Sequence, residues 1–242
     1  MFIVLLDDVA DKMKNKKLLA EILKIPIENK INFRNCPKKK YLQLTKKVWR
    51  SLNKKICSFP LYKNFEEIIE YDLKQIINGM DYAYLVNKNF YLINETESTI
   101  YLSFNTPGTI SYMIDLTCMK NFKMRNLGIV RKIAWYTQVM TRIANWVVTW
   151  EREIKEKDFT SGIFAYALEN NFINIENLKN NDTEIILKIR ESGAENYFLK
   201  EWDNLYNKIN KLNKKNQDIN IKAILKQIKL LTVLHLISRN LI

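Results

Sequence analysis

Apolar residues recur along most of the chain at the three- and four-residue spacing of amphipathic helices, and no segment shows sustained alternation of apolar and polar residues. The first segment, Met1 to about Lys24, is apolar and then amphipathic, and we expect it to end before Pro26. Further helices are predicted over about 41–56, 64–86, 98–118, 127–156, 160–170, 183–213 and 219–242. With no internal repeat, the pattern predicts one all-α domain over residues 1–242.

The helix predicted over 98–118 has an unusual composition. Pro107-Gly108 lies in its middle, and a proline there breaks or kinks a helix because it lacks the backbone N–H. The stretch from Asn89 to Met119 contains no Lys or Arg, although the chain has 39 of them in 242 residues, so we expect this helix to be buried. Two interpretations stay open: a kinked core helix, or a helix interrupted so that backbone carbonyls face a pocket.

Composition indicates a globular protein, with 47% hydrophobic residues, 12% aromatic residues, 5 Gly and 4 Pro. The net charge of +13 is spread over many Lys residues, which favours a generic solvated surface, and we expect no nucleic-acid partner. Cys36, Cys57 and Cys118 show no paired spacing, and no apolar run is long enough for a membrane span. We therefore expect a cytoplasmic protein without stable membrane insertion. The single histidine, His235, excludes His-ligated zinc sites and receives no role.

Oxygen-bearing side chains stand at helical spacing in two places 138 residues apart. We call the first the aspartate motif (Asp7, Asp8 and Asp11). We call the second the Asn-Thr-Glu motif (Asn145, Thr149 and Glu153); Arg152 directly precedes its glutamate. Carboxylate, amide and hydroxyl oxygens suit Mg²⁺, and a guanidinium suits phosphate. Each motif also has an ordinary interpretation, as acidic surface decoration or as polar residues bonded to a neighbour. We expect neither Asp7 nor Glu153 to be packed in the core, so their alanine variants should lose turnover and keep helix content.

Together the motifs resemble those of the class I terpene cyclases, in the bacterial form with a single α domain. The resemblance covers about residues 1–169 and includes Asp158 at the head of the next helix and the break at Pro107-Gly108. It implies an antiparallel helical bundle around a central cavity, the class I terpenoid synthase fold. Because family members carry helices ahead of the aspartate motif, and here it begins at residue 7, we expect those N-terminal helices to be missing.

The resemblance also implies an activity and a set of roles. Three magnesium ions would ionise a linear prenyl diphosphate, farnesyl or geranylgeranyl, and the enzyme would cyclise the carbocation and release diphosphate. The implied catalytic residues are Asp7, Asp8, Asp11, Asn145, Thr149 and Glu153, of which all but Asp8 are metal ligands. Arg152 and Arg239 would bind the diphosphate. The implied cavity residues are Tyr101, Phe104, Tyr112, Gln138 and Thr141.

Two alternatives stay open beside the cyclase. One is a non-catalytic or decayed cyclase-like helical protein that uses its basic surface to bind an acidic partner. It is favoured by the absence of a diphosphate-sensing arginine between Asn89 and Met119 and by the early start of the aspartate motif, whereas the intact metal ligands argue against it. The family's C-terminal Arg-Tyr pair is also absent, since Asn240 follows Arg239. The other is a prenyltransferase, which predicts a second aspartate-rich motif that the sequence does not contain. A homodimer is compatible with each.

Overall fold

The computed structural model describes residues 2–13, 15–28, 38–180, 182–213 and 219–240. Every regular element in these ranges is helical, which confirms the all-α prediction. The α-helices are α1 Phe2–Asp7, α2 Lys16–Leu23, α3 Ile25–Glu28, α4 Lys39–Cys57, α5 Tyr62–Lys88, α6 Glu95–Tyr101, α7 Gly108–Thr117, α8 Leu127–Glu156, α9 Gly162–Glu169, α10 Ile175–Asn180, α11 Asp182–Ser192, α12 Ala194–Asn213 and α13 Ile221–Ile237. A π-helix covers Asp8–Met13, and 3₁₀ turns cover Phe90–Leu92, Leu102–Asn105, Met124–Asn126 and Ser238–Asn240.

The long helix α8 organises the core, because it packs against α7, α9, α12 and α13. Two apolar clusters flank it. The first gathers Trp146 and Trp150 of α8 with the helices that follow, and the second gathers α1, α2, α4 and α7 around α5. Both tryptophans are fully buried. That these helices form the class I terpenoid synthase bundle stays a prediction.

Polar links hold α5 beside α8. The Arg131 guanidinium donates to both carboxylate oxygens of the buried Asp72, at 2.8 and 3.0 Å. Near the other end of α5, the Asn87 amide donates to Asp158 at 2.8 Å and accepts from the backbone N–H of Phe159 at 2.9 Å. Because the two links follow the same order along both helices, α5 and α8 run in the same direction.

The predicted break at Pro107-Gly108 is confirmed. The helix α6 ends at Tyr101, a 3₁₀ turn follows, and α7 begins at Gly108 with Pro107 as its N-cap residue. Gly108 lies so close to α8 that a Cβ atom there would stand 2.8 Å from the Cβ of Gln138. The expected burial holds for one face of the segment, whereas Ile100 and Tyr101 are about two-fifths exposed.

One predicted helix is divided in two. The helix expected over 183–213 is two helices, α11 and α12, separated at Gly193, whose φ of +71° is a left-handed conformation that glycine adopts without strain. The helix α2 ends at Leu23, before Pro26 as expected. Pro26 lies in the first turn of the next short helix, α3, where its missing N–H would have no partner within the helix. Among the described residues, no helix combines the length and apolarity that crossing a membrane requires.

Candidate metal and diphosphate site

The structure brings the three residues of the Asn-Thr-Glu motif together on α8. The Thr149 hydroxyl lies 2.6 Å from Oε1 of Glu153 and 2.8 Å from the backbone carbonyl oxygen of Asn145, and it is a donor to these acceptors. Thr149 and Glu153 are buried, and Asn145 is half-buried. The helical spacing therefore produces a continuous polar stripe along one face of α8.

Glu153 is the most perturbed group of this stripe. Burial raises the pKa of its carboxyl group to about 8, with a further contribution from the nearby charge of Asp158, against the opposing effects of Arg142, Thr149 and Arg152. Its second oxygen, Oε2, is buried and has no hydrogen-bond partner within the part of the chain that the structure describes. Without a cation, the carboxyl group is therefore mostly neutral at pH 7.

The expectation that Glu153 stands outside the packed core is wrong, because only 6% of it is exposed. The chain turns at the end of α8, where the backbone N–H of Asp158 donates to the carbonyl oxygen of Glu153 at 2.9 Å. Asp158 is itself buried and accepts from Asn87 and from the backbone N–H of Thr160. An alanine at position 153 would leave a cavity as well as remove a carboxylate.

Arg142 belongs to the site, although sequence reasoning did not select it. Its guanidinium donates to Oδ1 of Asn145 at 3.1 Å and lies 5.6 Å from the ring centre of Trp146. Its Nε is buried without a hydrogen-bond partner. The signal was present, since Arg142 precedes Asn145 by three residues and so shares the face of the motif. Arg152, the expected diphosphate ligand, forms an ion pair with Glu156 at 3.5 Å.

The aspartate motif lies at the end of α1. Asp7 is the last residue of α1 and lines a cavity of about 390 Å³, whose wall is mostly apolar and comes from α1, α4, α5 and α7. Asp8 opens the π-helix and is half-buried. The side chain of Asp11 lies outside the described residues. None of Asn145, Thr149 and Glu153 lines the cavity that Asp7 lines.

Three of the five expected cavity residues line a second cavity, of about 300 Å³, on the other side of the break. Tyr112, Gln138 and Thr141 face this space together with Gly108 and residues of α13. Oε1 of Gln138 accepts from the backbone N–H of Thr109 at 2.8 Å and from its hydroxyl at 3.1 Å, which anchors α7 to α8. The Nε2 of Gln138 is buried without a partner.

The other two expected cavity residues lie elsewhere. Tyr101 is 39% exposed and packs on Tyr82, with ring centres 5.0 Å apart. Phe104 packs on Trp135, with ring centres 5.2 Å apart. Neither residue lines the cavity of Asp7 or the cavity of Gln138, because the 3₁₀ turn before Pro107 directs this segment along α5 and α8.

Arg239, expected to bind diphosphate, takes part in an ion network at the end of the chain. It donates to both carboxylate oxygens of Glu195 and to Glu151. Arg190 also binds Glu151, at 2.9 and 3.0 Å, and Glu195 accepts from the indole N–H of Trp150 at 2.7 Å. The network ties the C-terminal 3₁₀ turn to α8 and α12, so binding a diphosphate would require Arg239 to leave it.

The described side chains contain no cluster of three or more His, Cys, Asp or Glu residues placed to hold a metal ion. The Asn-Thr-Glu motif contains a single carboxyl group, so it is not such a cluster. Comparisons with protein-family models, with characterised proteins and with solved structures find no match to this chain. The relation to class I terpene cyclases therefore depends on the motifs alone.

Proposed function

We propose that the protein is a magnesium-dependent class I terpene cyclase that acts on farnesyl or geranylgeranyl diphosphate. The observation that carries the proposal is Oε2 of Glu153, a buried carboxyl oxygen with no hydrogen-bond partner among the described residues, at the end of the stripe formed with Asn145 and Thr149. Burying such an oxygen unpaired is costly in free energy, and a bound cation would remove that cost.

The donors of the stripe fit a magnesium ion. Among the described residues, each side chain keeps a free acceptor position: Oδ1 of Asn145 accepts from Arg142, the Thr149 hydroxyl acts as a donor, and Oε2 of Glu153 is unpaired. Magnesium prefers such oxygen ligands and keeps several waters. Bound there, the ion would draw electrons from the diphosphate oxygens, and Arg142 and Arg152 would add positive charge beside them.

The cavities flanking the break suit an apolar substrate chain. Pro107 lines the cavity of Asp7, and Gly108 lines the cavity of Gln138, so the break is a shared wall between them. The first cavity is walled by residues such as Trp49 and Ile110, which favour a hydrocarbon. Gln138 in the second cavity precedes Asn145 by seven residues, so it lies on the same face of α8 as the Asn-Thr-Glu motif, about 10 Å along the helix axis.

A second candidate function is a non-catalytic helical binding protein. The observation that favours it is the separation of the motifs, since the cavity of Asp7 contains none of the three residues on α8. In this interpretation the hydrogen bond between Thr149 and Glu153 only satisfies two buried polar groups, and no metal ion binds there.

Incubation with geranyl, farnesyl and geranylgeranyl diphosphates, followed by gas chromatography–mass spectrometry, tests the proposal. We expect a cyclic hydrocarbon or alcohol with magnesium, none with a chelator, and a loss of product in Glu153→Gln. Glu70→Gln on α5 is the control, because the Glu70 side chain is 53% exposed and pairs with Lys74, which has no role in the proposed site. If the wild-type chain forms no product, or if Glu153→Gln forms as much as the control, the cyclase proposal is refuted.

A further inference from the structure

The helix α13 is apolar on two faces, and the described part of the protein covers one of them. Its inner face, with Ile221, Leu225 and Ile228, is buried against α8 and α12. Six large apolar side chains elsewhere on the helix are exposed: Leu230 (58%), Leu231 (39%), Val233 (42%), Leu234 (54%), Leu236 (38%) and Ile237 (68%). A concentration of this kind within eight residues marks an interaction surface, whereas isolated exposed apolar residues do not.

The charges of α13 indicate the nature of its partner. The exposed residues Lys222, Lys226 and Lys229 are one turn apart, and the helix contains no Asp or Glu. At 100° per residue, Lys226 lies only 40° around the axis from Leu230, so positive charge borders the apolar residues on the outward side. The whole chain carries a net charge of +13. A complementary partner therefore has an apolar interior and a negatively charged surface.

We propose that the outer face of α13, formed by Leu230, Val233, Leu234 and Ile237, binds the surface of an anionic lipid bilayer without crossing it. A helix lying in the interfacial plane buries its apolar side chains among the acyl chains, while flanking lysines extend to the headgroups. A second copy of this chain is a poorer occupant, because pairing the same face would bring two sets of these lysines together without an acidic residue on either helix.

Vesicle flotation with the full chain tests the proposal, using phosphatidylcholine alone and phosphatidylcholine mixed with phosphatidylglycerol. We expect binding to the anionic vesicles, weakened by salt. Replacing Lys222, Lys226 and Lys229 by Gln should weaken that binding on the order of 100-fold, since each lysine near such a surface contributes about fivefold. Replacing Leu230 and Leu234 by Ser should weaken it about tenfold or more, through lost apolar burial.

A triple variant with serine at Val4, Leu44 and Leu187 is the matched control, because these side chains are 58%, 49% and 53% exposed on other helices. It should bind anionic vesicles as the wild type does, and circular dichroism should show equal helix content for all variants. Absence of binding to anionic vesicles overturns the proposal, as does equal binding by the α13 variants. Sedimentation showing a dimer that only the α13 serine variant dissociates, without vesicle binding, would instead assign the face to a second copy.

Discussion

Replacing Glu153 by Gln should remove much of the pH dependence of folding stability between about pH 5 and about pH 8. Burial raises the pKa of this carboxyl group from 4.5 to about 8, so the folded protein keeps a proton that the unfolded chain releases. The stabilisation is complete below pH 4.5, decreases as the pH rises, and is lost once the pH passes about 8. Glutamine has the shape of the neutral acid at every pH, so the variant should lack this decrease.

The magnitude follows from the size of the shift. One pKa unit corresponds to about 1.4 kcal/mol, so a rise from 4.5 to about 8 sets an upper limit of about 5 kcal/mol. Part of the shift comes from the charge of Asp158, and the protein relaxes when Glu153 ionises. We therefore expect the free energy of unfolding of the wild type to fall by about 2–4 kcal/mol relative to the variant across this range.

Urea denaturation at a series of pH values, with a chelator present, measures the effect. Glu156→Gln on the same helix controls for the loss of one exposed carboxylate. Magnesium added at about pH 8 should then stabilise the wild type and leave Glu153→Gln unchanged, because an ion binds the charged carboxylate. Parallel stability profiles for the wild type and Glu153→Gln would refute the reasoning from burial. Equal stabilisation of both proteins by magnesium would refute the metal assignment.

Two further substitutions test the packing around α8. Gly162→Ala should destabilise the protein by about 1–3 kcal/mol, because its Cβ would stand 2.6 Å from a ring carbon of Trp146. The control Gly128→Ala meets no atom within 4 Å and should be neutral or stabilising by up to about 1 kcal/mol; thermal unfolding compares them. Arg131→Met leaves the carboxylate of Asp72, which is 1% exposed, without its bidentate partner. It should cost about 3 kcal/mol in urea denaturation, and a change below about 1 kcal/mol would contradict this.

The bounds of a helix were predictable where the apolar periodicity and local helix-breaking residues determine them. The expected bounds of the longest helix, 127–156, are those of α8, since its apolar residues keep the helical period for 30 residues. The break at Pro107 was predictable because a missing N–H acts locally. Gly193 is the counterexample, because it divides the helix predicted over 183–213 through the left-handed conformation that it adopts. The presence of a glycine within an amphipathic pattern does not reveal its conformation.

The environment of the candidate site was harder to predict than its residues. Spacing on one helix correctly placed Asn145, Thr149 and Glu153 on a shared face, because that relation is local. The ion pairs of Arg239 depend on Glu195 of α12 and Glu151 of α8, which are distant in the sequence. The burial of Glu153 depends on how other helices pack around α8, which the spacing of residues along one helix does not determine.

The position of Asp7 relative to α8 distinguishes the two candidate functions. Residue spacing within single helices does not predict this position. Asp7 follows Leu6, which packs in the cluster around α5, whereas the Asn-Thr-Glu motif flanks Trp146 in the cluster around α8. The helix α7 lies between them, with Pro107 at one cavity and Gly108 at the other. A cyclase needs the diphosphate to reach both motifs, so its substrate must extend past this break. A binding protein has no such requirement, and for it the break is only a close contact between α7 and α8.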